Sequence, residues 1–316
     1  MLLQRASCPP RPRTCRARRI TCVAAPPQSD VRVWRRPNTP RVLAPTGYGT
    51  LLILPGFGNA SEDYTSPFGQ EEASLASALR RRGFTVDVLP VERRDWFNVA
   101  KALFSPNFYS GRCTASEGYR WYLDRVALAV QRRESAGQRV TLVGHSAGGW
   151  LARAFLGDEI YCVAGGPRPA VRALVSLGTP HAPPPDGVAD VTRGCLTWLE
   201  ETYPGAFYHP GVRYVSVAGN TVAGRTGEAR DEAGQRRPPA YAASSYSTLL
   251  GGDGDGVEGD AVVPTSCALL PGSVQVVLPG VWHSVSRVGT FSEDAGLAWY
   301  GTDSVVDAWL EPMTTL

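Results

Sequence analysis

The sequence predicts an α/β domain built on a mostly parallel central sheet with helices on both faces. Three observations predict it. Apolar, β-branched runs of strand length recur along the chain, amphipathic segments of helical period stand between them, and turn residues mark the junctions. The 316 residues, 43% hydrophobic, can bury a sizeable core, and no linker-like stretch divides the middle of the chain, so one large domain over 47–316 is expected. Its longest apolar runs are strand-length and far short of the roughly 20 residues that span a bilayer. A soluble or membrane-peripheral protein is the expectation.

Taken in order, residues 49–54 (GTLLIL) read as a strand entering the turn Pro55, Gly56, Phe57, Gly58. Residues 71–82 have apolar positions at helical spacing and stop at Gly83, a residue suited to a C-cap. Residues 84–91 alternate and are β-branched, which predicts a strand. Residues 118–133 form a second amphipathic helix with Trp121, Leu123, Val126, Leu128 and Val130 on one side. A short apolar strand, 139–143, runs into the glycine-rich turn 144–149, and 150–156 are helical. Val171–Leu177, 212–217 and 273–278 are further strands.

Three stretches interrupt this alternation. Residues 95–113 are rich in aromatics. Residues 181–209 carry a proline run followed by Trp198, Tyr203, Phe207 and Tyr208, and 182–210 are expected to form a lid. Residues 220–256 are polar and rich in Gly, Arg and Glu, and are expected to be a mobile surface loop.

The net charge of +3 is unevenly divided. Residues 1–29 hold six arginines and no acid, so the remainder carries about −3, with its basic residues dispersed among acids. No nucleic-acid partner is expected from that body. The Arg-rich, acid-free start resembles an organelle transit peptide over 1–25, with a small-residue run at Val23, Ala24 and Ala25, followed by a flexible segment over 26–46. A plastid address is expected, with mitochondrion as the alternative. Cys113, Cys162, Cys195 and Cys267 show no C-x-x-C spacing and no adjacent histidines, and read as buried thiols.

The residues that carry chemistry lie where the predicted strands end. Gly144, His145, Ser146, Ala147 and Gly148 match G-x-S-x-G between a strand and a helix, a turn that holds a serine hydroxyl clear of the backbone as a nucleophile. An oxyanion needs two backbone donors. Ala147, after the nucleophile, offers one, and Phe57, with Gly58 as alternative, offers the second from an earlier strand end. A general base is expected late in the chain, and His283 follows the last strand. His145 is read as packing or shaping the pocket, and His181, Trp150 and Trp282 as further pocket candidates. For the acid, Asp253, Asp255, Glu258 and Asp260 follow the strand 212–217. Asp260 stands directly before the apolar run 261–264, whereas Asp253 and Asp255 lie among glycines; Asp186 and Asp190 are the reserve.

Residues 50–312 resemble plastid-type and cyanobacterial α/β-hydrolases of a lipase-like group distantly similar to GPI inositol-deacylases. The matching pieces are LPGFGN (54–59) with Asp63 and Tyr64, GHSAGGW (144–150), SLGTPH (176–181), PGAFY (204–208), GDAVVP (259–264), VWHS (281–284) and WYG (299–301). The resemblance implies an α/β-hydrolase fold with a lid-like insertion and a triad of Ser146, Asp260 and His283. Ala261 stands where a glycine is usual, and Pro55 where many lipases have histidine. The resemblance implies esterase or lipase chemistry, hydrolysis of carboxylic esters, without naming a substrate. The aromatic stretches 95–113 and 195–208 suit a lid over an acyl pocket or an interface with lipid, so an acyl-ester or lipid substrate and peripheral membrane contact are expected, and triad chemistry requires no metal or organic cofactor. An acyltransferase using the same triad, or a non-catalytic ligand-binding protein on this fold, are the alternatives.

Overall fold

The computed structural model describes residues 31–33, 49–161, 170–207, 211–292 and 296–314, and of Val31 only the backbone. The expected transit peptide, most of segment 26–46, Cys162 and His209 lie outside these residues. The described strands are β1 (Val31–Val33), β2 (Thr50–Leu54), β3 (Thr85–Val88), β4 (Val140–His145), β5 (Val171–Leu177), β6 (Arg213–Asn220), β7 (Val222–Ala223), β8 (Glu258–Gly259) and β9 (Val274–Pro279). Seven form one sheet in the order β1-β9-β6-β5-β4-β2-β3, and its six pairings are parallel. β7 and β8 pair antiparallel as a small separate ribbon.

Among the described residues the α-helices of six residues or more are α1 (Leu75–Arg80), α2 (Arg120–Ser135), α3 (Ala147–Gly157), α4 (Cys195–Thr202), α5 (Pro238–Leu250) and α6 (Asp303–Thr314), to which the 3-10 helix Arg93–Phe104 and the five-residue Pro106–Ser110 add further helical turns. The period-2 pleat divides β2 between two cores. Leu52 and Leu54 join a cluster built with Leu123, Val126 and Val130 of α2, Trp150, Leu151 and Phe155 of α3, and Leu196 and Leu199 of α4. Leu51 and Ile53 face the opposite core, where Leu75 and Leu79 of α1 meet Val306, Trp309 and Leu310 of α6. A strand buried on both faces reads as a continuous apolar run, which is why TLLIL lacks alternation.

Strand order also fixes where the site lies. From β2 the chain moves outward to β3, then crosses back past β2 to β4 and on to β5 and β6. That reversal is a topological switch point, and a parallel sheet opens its ligand crevice outside the carboxyl ends of the strands that flank it. Those ends are Leu54, which leads into 55–59, and His145, which leads into Ser146.

Several expectations need correction. The expected mobile loop 220–256 contains β7 and the 13-residue α5, which begins with two prolines and buries Ala242, Ala243, Tyr246 and Leu249. Proline at the first helical positions starts a helix at no hydrogen-bond cost, and these buried positions form one helical stripe. The lid-like insertion expected over 182–210 contains α4, which is anchored to the main core through Cys195, Leu196 and Leu199. Residues 31–33, placed in a flexible segment, form the edge strand β1 against β9. Residues 71–82 are broken at Ser74, whose side chain accepts from the Ser77 N–H and starts α1 afresh. Leu128 is exposed, off the buried stripe of α2.

Candidate active site

Ser146 sits between β4 and α3 with φ 51° and ψ −125°, a backbone conformation that L residues seldom adopt. The surrounding bonds hold it there. Its N–H donates to the Leu177 carbonyl (2.9 Å), and its own carbonyl accepts from Thr179 Oγ1 (2.8 Å) and the Gly149 N–H (3.1 Å). Two glycines are required by distance: a Cβ on Gly144 would lie 2.4 Å from the Gly149 Cα, and one on Gly148 would lie 2.2 Å from the Leu54 carbonyl oxygen. Strand and helix therefore close tightly on the turn, leaving Ser146 half-exposed between buried neighbours.

The loop after β2 reaches the same point. Its Gly56 packs so closely that a Cβ there would lie 2.8 Å from the Ser146 Cβ. Ala147 is the first residue of α3, so its N–H has no intrahelical partner, and it stands at the positive end of an eleven-residue helix.

His283 and Asp260 form a buried pair, with His283 Nδ1 2.8 Å from Asp260 Oδ2. The carboxylate also accepts from the Tyr300 hydroxyl at the same oxygen (2.8 Å) and, at Oδ1, from the Val262 (3.0 Å) and Val263 (2.7 Å) N–H groups. Burial alone would push the Asp260 carboxyl up. The charge and hydrogen bond of His283, with the Val263 and Tyr300 donors, outweigh that and hold it below the usual range. An ionised carboxylate only accepts, so Nδ1 carries the imidazole proton and Nε2 is left as a proton acceptor. Ala261 adopts φ 85°, a conformation that favours glycine, in the turn that aims Asp260.

A second polar chain lies beneath. The Gly56 N–H donates to the Tyr64 hydroxyl (3.0 Å), which lies 2.7 Å from His145 Nδ1, and His145 Nε2 is 2.8 Å from the His283 carbonyl oxygen. A carbonyl only accepts, so the His145 proton is on Nε2, and Tyr64 donates to Nδ1. Burial, with the nearby His283, pushes the His145 pKa down to about 3, so this histidine stays neutral. The chain ties the loop after β2, the serine turn and the His283 loop together.

The structure brings Ser146, Ala147, the 55–59 loop, Asp260 and His283 to one end of the sheet. Phe57 and Gly58 are the exposed residues of that loop. The pocket candidates fare differently. His145, Trp150 and His181 are buried. Trp150 packs edge-on against Tyr119, and His181 Nε2 bonds Ser176 Oγ at 2.8 Å while Arg153 donates to its carbonyl. Trp282 is half-buried against Val222, Ala242, Tyr246 and Ala261. Of the other carboxylates, Asp253, Asp255, Glu258 and Asp186 are exposed, and Asp190 caps its own loop through Thr192 and Gly194. Tyr64 and Tyr300 lay within the motifs that carried the resemblance, but their roles had no signal in spacing: their partners are 81 and 40 positions away.

A family model described as Alpha/beta hydrolase family matches residues 51–293. The chain belongs to the α/β hydrolase family. No curated protein matches this α/β hydrolase. Among solved structures it is similar to the mature Bacillus licheniformis lipase BlEst2 (15% identity, TM-score 0.46, covering 79% of this chain and 91% of that one). It is also similar to a metagenomic carboxyl esterase (14%, TM-score 0.48, 90% and 83%). A third is a soluble variant of the Saccharomyces cerevisiae monoglyceride lipase with a substrate analogue (11%, TM-score 0.43, 87% and 90%).

Proposed function

We propose that this α/β hydrolase cleaves carboxylic esters, with acyl lipids as the substrate class, through a covalent acyl-enzyme on Ser146. The observation that carries the reading is a serine held at positive φ at a strand–helix junction, next in sequence to His145, whose Nε2 lies 2.8 Å from the backbone carbonyl of His283 in a buried His–Asp pair. In this mechanism His283 Nε2 takes the Ser146 proton as Oγ attacks the ester carbonyl. Asp260 keeps the imidazole in the Nδ1–H tautomer and stabilises the cation that forms. The Phe57 and Ala147 N–H groups receive the oxyanion, the latter aided by the start of α3. His283 then returns the proton to the leaving alcohol, and water attacks the acyl-enzyme by the same route.

The test uses the full chain and its Ser146→Ala variant. Wild-type protein is expected to be labelled by a fluorophosphonate probe and to hydrolyse short p-nitrophenyl esters. The variant should fold equally well, resist labelling and lose at least about 10³-fold in kcat. Retention of about a tenth of wild-type activity would rule out Ser146 as nucleophile.

A further inference from the structure

Residues Arg93–Phe104 form a twelve-residue 3-10 helix, far longer than the three or four residues at which such helices usually stop. With three residues per turn, its side chains fall into three straight strips. Trp96, Val99 and Ala102 form the strip packed on the core. Phe97, Ala100 and Leu103, preceded by Arg94, form the next, and it faces solvent: Phe97 is 81% exposed and Leu103 44%. Phe104, 91% exposed, ends the helix, and Tyr109, 75% exposed, follows on the short helix Pro106–Ser110. Isolated exposed apolar residues are ordinary, but an unbroken apolar strip on a regular element marks a contact surface.

The strip is joined to the candidate site. Trp96 donates from its indole to the Asn59 carbonyl (2.8 Å), and its ring lies 5.1 Å from that of Phe57, itself 58% exposed on the loop beside Ser146. Charge says what the strip faces. Residues 96–116 contain no acid, and their two cations, Lys101 and Arg112, are exposed. Aromatic and aliphatic side chains flanked by cations suit the headgroup boundary of a bilayer that carries negative charge.

We propose that the 3-10 helix Arg93–Phe104 and Tyr109 form the face by which this protein seats on an anionic phospholipid bilayer, presenting the Ser146 site to ester substrates held in that bilayer. The seat deepens the proposed ester hydrolysis and rests on it for the substrate arm alone.

Flotation of the full chain with vesicles of phosphatidylcholine, with and without phosphatidylglycerol, tests it. Wild-type and Ser146→Ala proteins should both float, and more strongly with phosphatidylglycerol. A Phe97→Ser, Leu103→Ser, Phe104→Ser variant should partition at least about tenfold less, because three apolar side chains no longer enter the boundary. It should hydrolyse a soluble ester within about twofold of wild type while losing activity on a vesicle-embedded ester. A Lys101→Glu, Arg112→Glu variant, which leaves the apolar strip intact, should lose the preference for phosphatidylglycerol. Vesicle binding by Ser146→Ala without ester turnover by the wild type would support the seat and sink the hydrolysis reading. Wild type that stays in the soluble fraction, or serine-substituted protein that floats as well as wild type, overturns the seat. So does a wild-type dimer in solution that the serine substitutions dissolve without any vesicle binding, since the strip would then face a second copy.

Discussion

Two tyrosine hydroxyls govern the geometry around Ser146 from positions outside the reacting groups. Tyr64 is wholly buried and fixes the Gly56 peptide, whose next N–H belongs to Phe57, while also holding His145. Replacing it with phenylalanine keeps the ring and leaves a buried N–H and an imidazole nitrogen without their partner. Tyr64→Phe is expected to lower kcat by about tenfold or more with little change in KM, since donor placement matters most in the transition state. Affinity for a boronate transition-state analogue should fall in parallel; an unchanged kcat would mean the loop holds its shape without the hydroxyl. Tyr300 acts on the acid instead, donating to Asp260 Oδ2 while accepting the Gly219 N–H (2.6 Å). Removing a donor from a carboxylate makes it bind protons more tightly. Tyr300→Phe should therefore move the acidic limb of the kcat/KM profile to higher pH, measured on a soluble ester. Ser146 and His283 were legible because each follows a strand that the apolar pattern reveals, and Asp260 because it stands directly before the apolar run 261–264. The two tyrosines were not, because a hydrogen bond across 40 or 81 positions leaves no local periodicity.

At the scale of elements, the helices that close the sheet are joined by charge as well as by packing. Arg82, just past α1, is buried and spends all its donors on α6 and its own helix. Nε and one terminal nitrogen grip Asp307 (2.7 and 2.6 Å), and the others reach Asp303 Oδ1, the Asp303 carbonyl and the Ala78 carbonyl, each at 2.7 Å. Burial alone would lower the Arg82 pKa, but Asp307 and Asp303 raise it above the usual value, while Asp303 is held down at about 2. Breaking a buried pair from one side leaves an uncompensated charge, which typically costs about 3–5 kcal/mol. Arg82→Met should lower the urea midpoint accordingly without altering kcat of the folded fraction, because the clamp lies away from Ser146. Element existence was readable where a continuous apolar run or a helical period stood out, as in β2, β4 and α2. It was unreadable where composition masked it. The α5 sequence PPAYAASSYSTLL is dominated by small residues, and its four buried residues announce a helix only once the turns are laid out. β1 is three residues long and owes its existence to β9, which it pairs at the sheet edge.

For the whole molecule, acid stability follows from histidines that the fold keeps neutral. His145 is buried among Tyr64, His283 and Asp260, and its pKa falls to about 3; His181 is buried beside Arg153, whose cation and the burial itself push its pKa well below the ordinary 6.5. In the unfolded chain both would protonate near 6.5. The sign follows from linkage. Each folded ring binds fewer protons than its unfolded counterpart between its two pKa values, so the stabilisation is fully present above about 6.5 and is lost as pH falls below that, down to about 3 for His145. Each histidine contributes a slope of about 1.4 kcal/mol per pH unit within that window. Asp260, held below its ordinary value, adds to the loss only at the acid end, as pH falls through its depressed folded pKa. Between pH 6 and pH 4.5 the two histidines should therefore dominate. Urea titrations across that range are expected to show stability falling with acid at about twice the single-histidine slope, and His181→Gln should reduce the slope by about half. A flat profile for the wild type would mean that acid reaches these rings without unfolding the sheet ends they support. A slope unchanged by His181→Gln would assign the proton uptake to other groups.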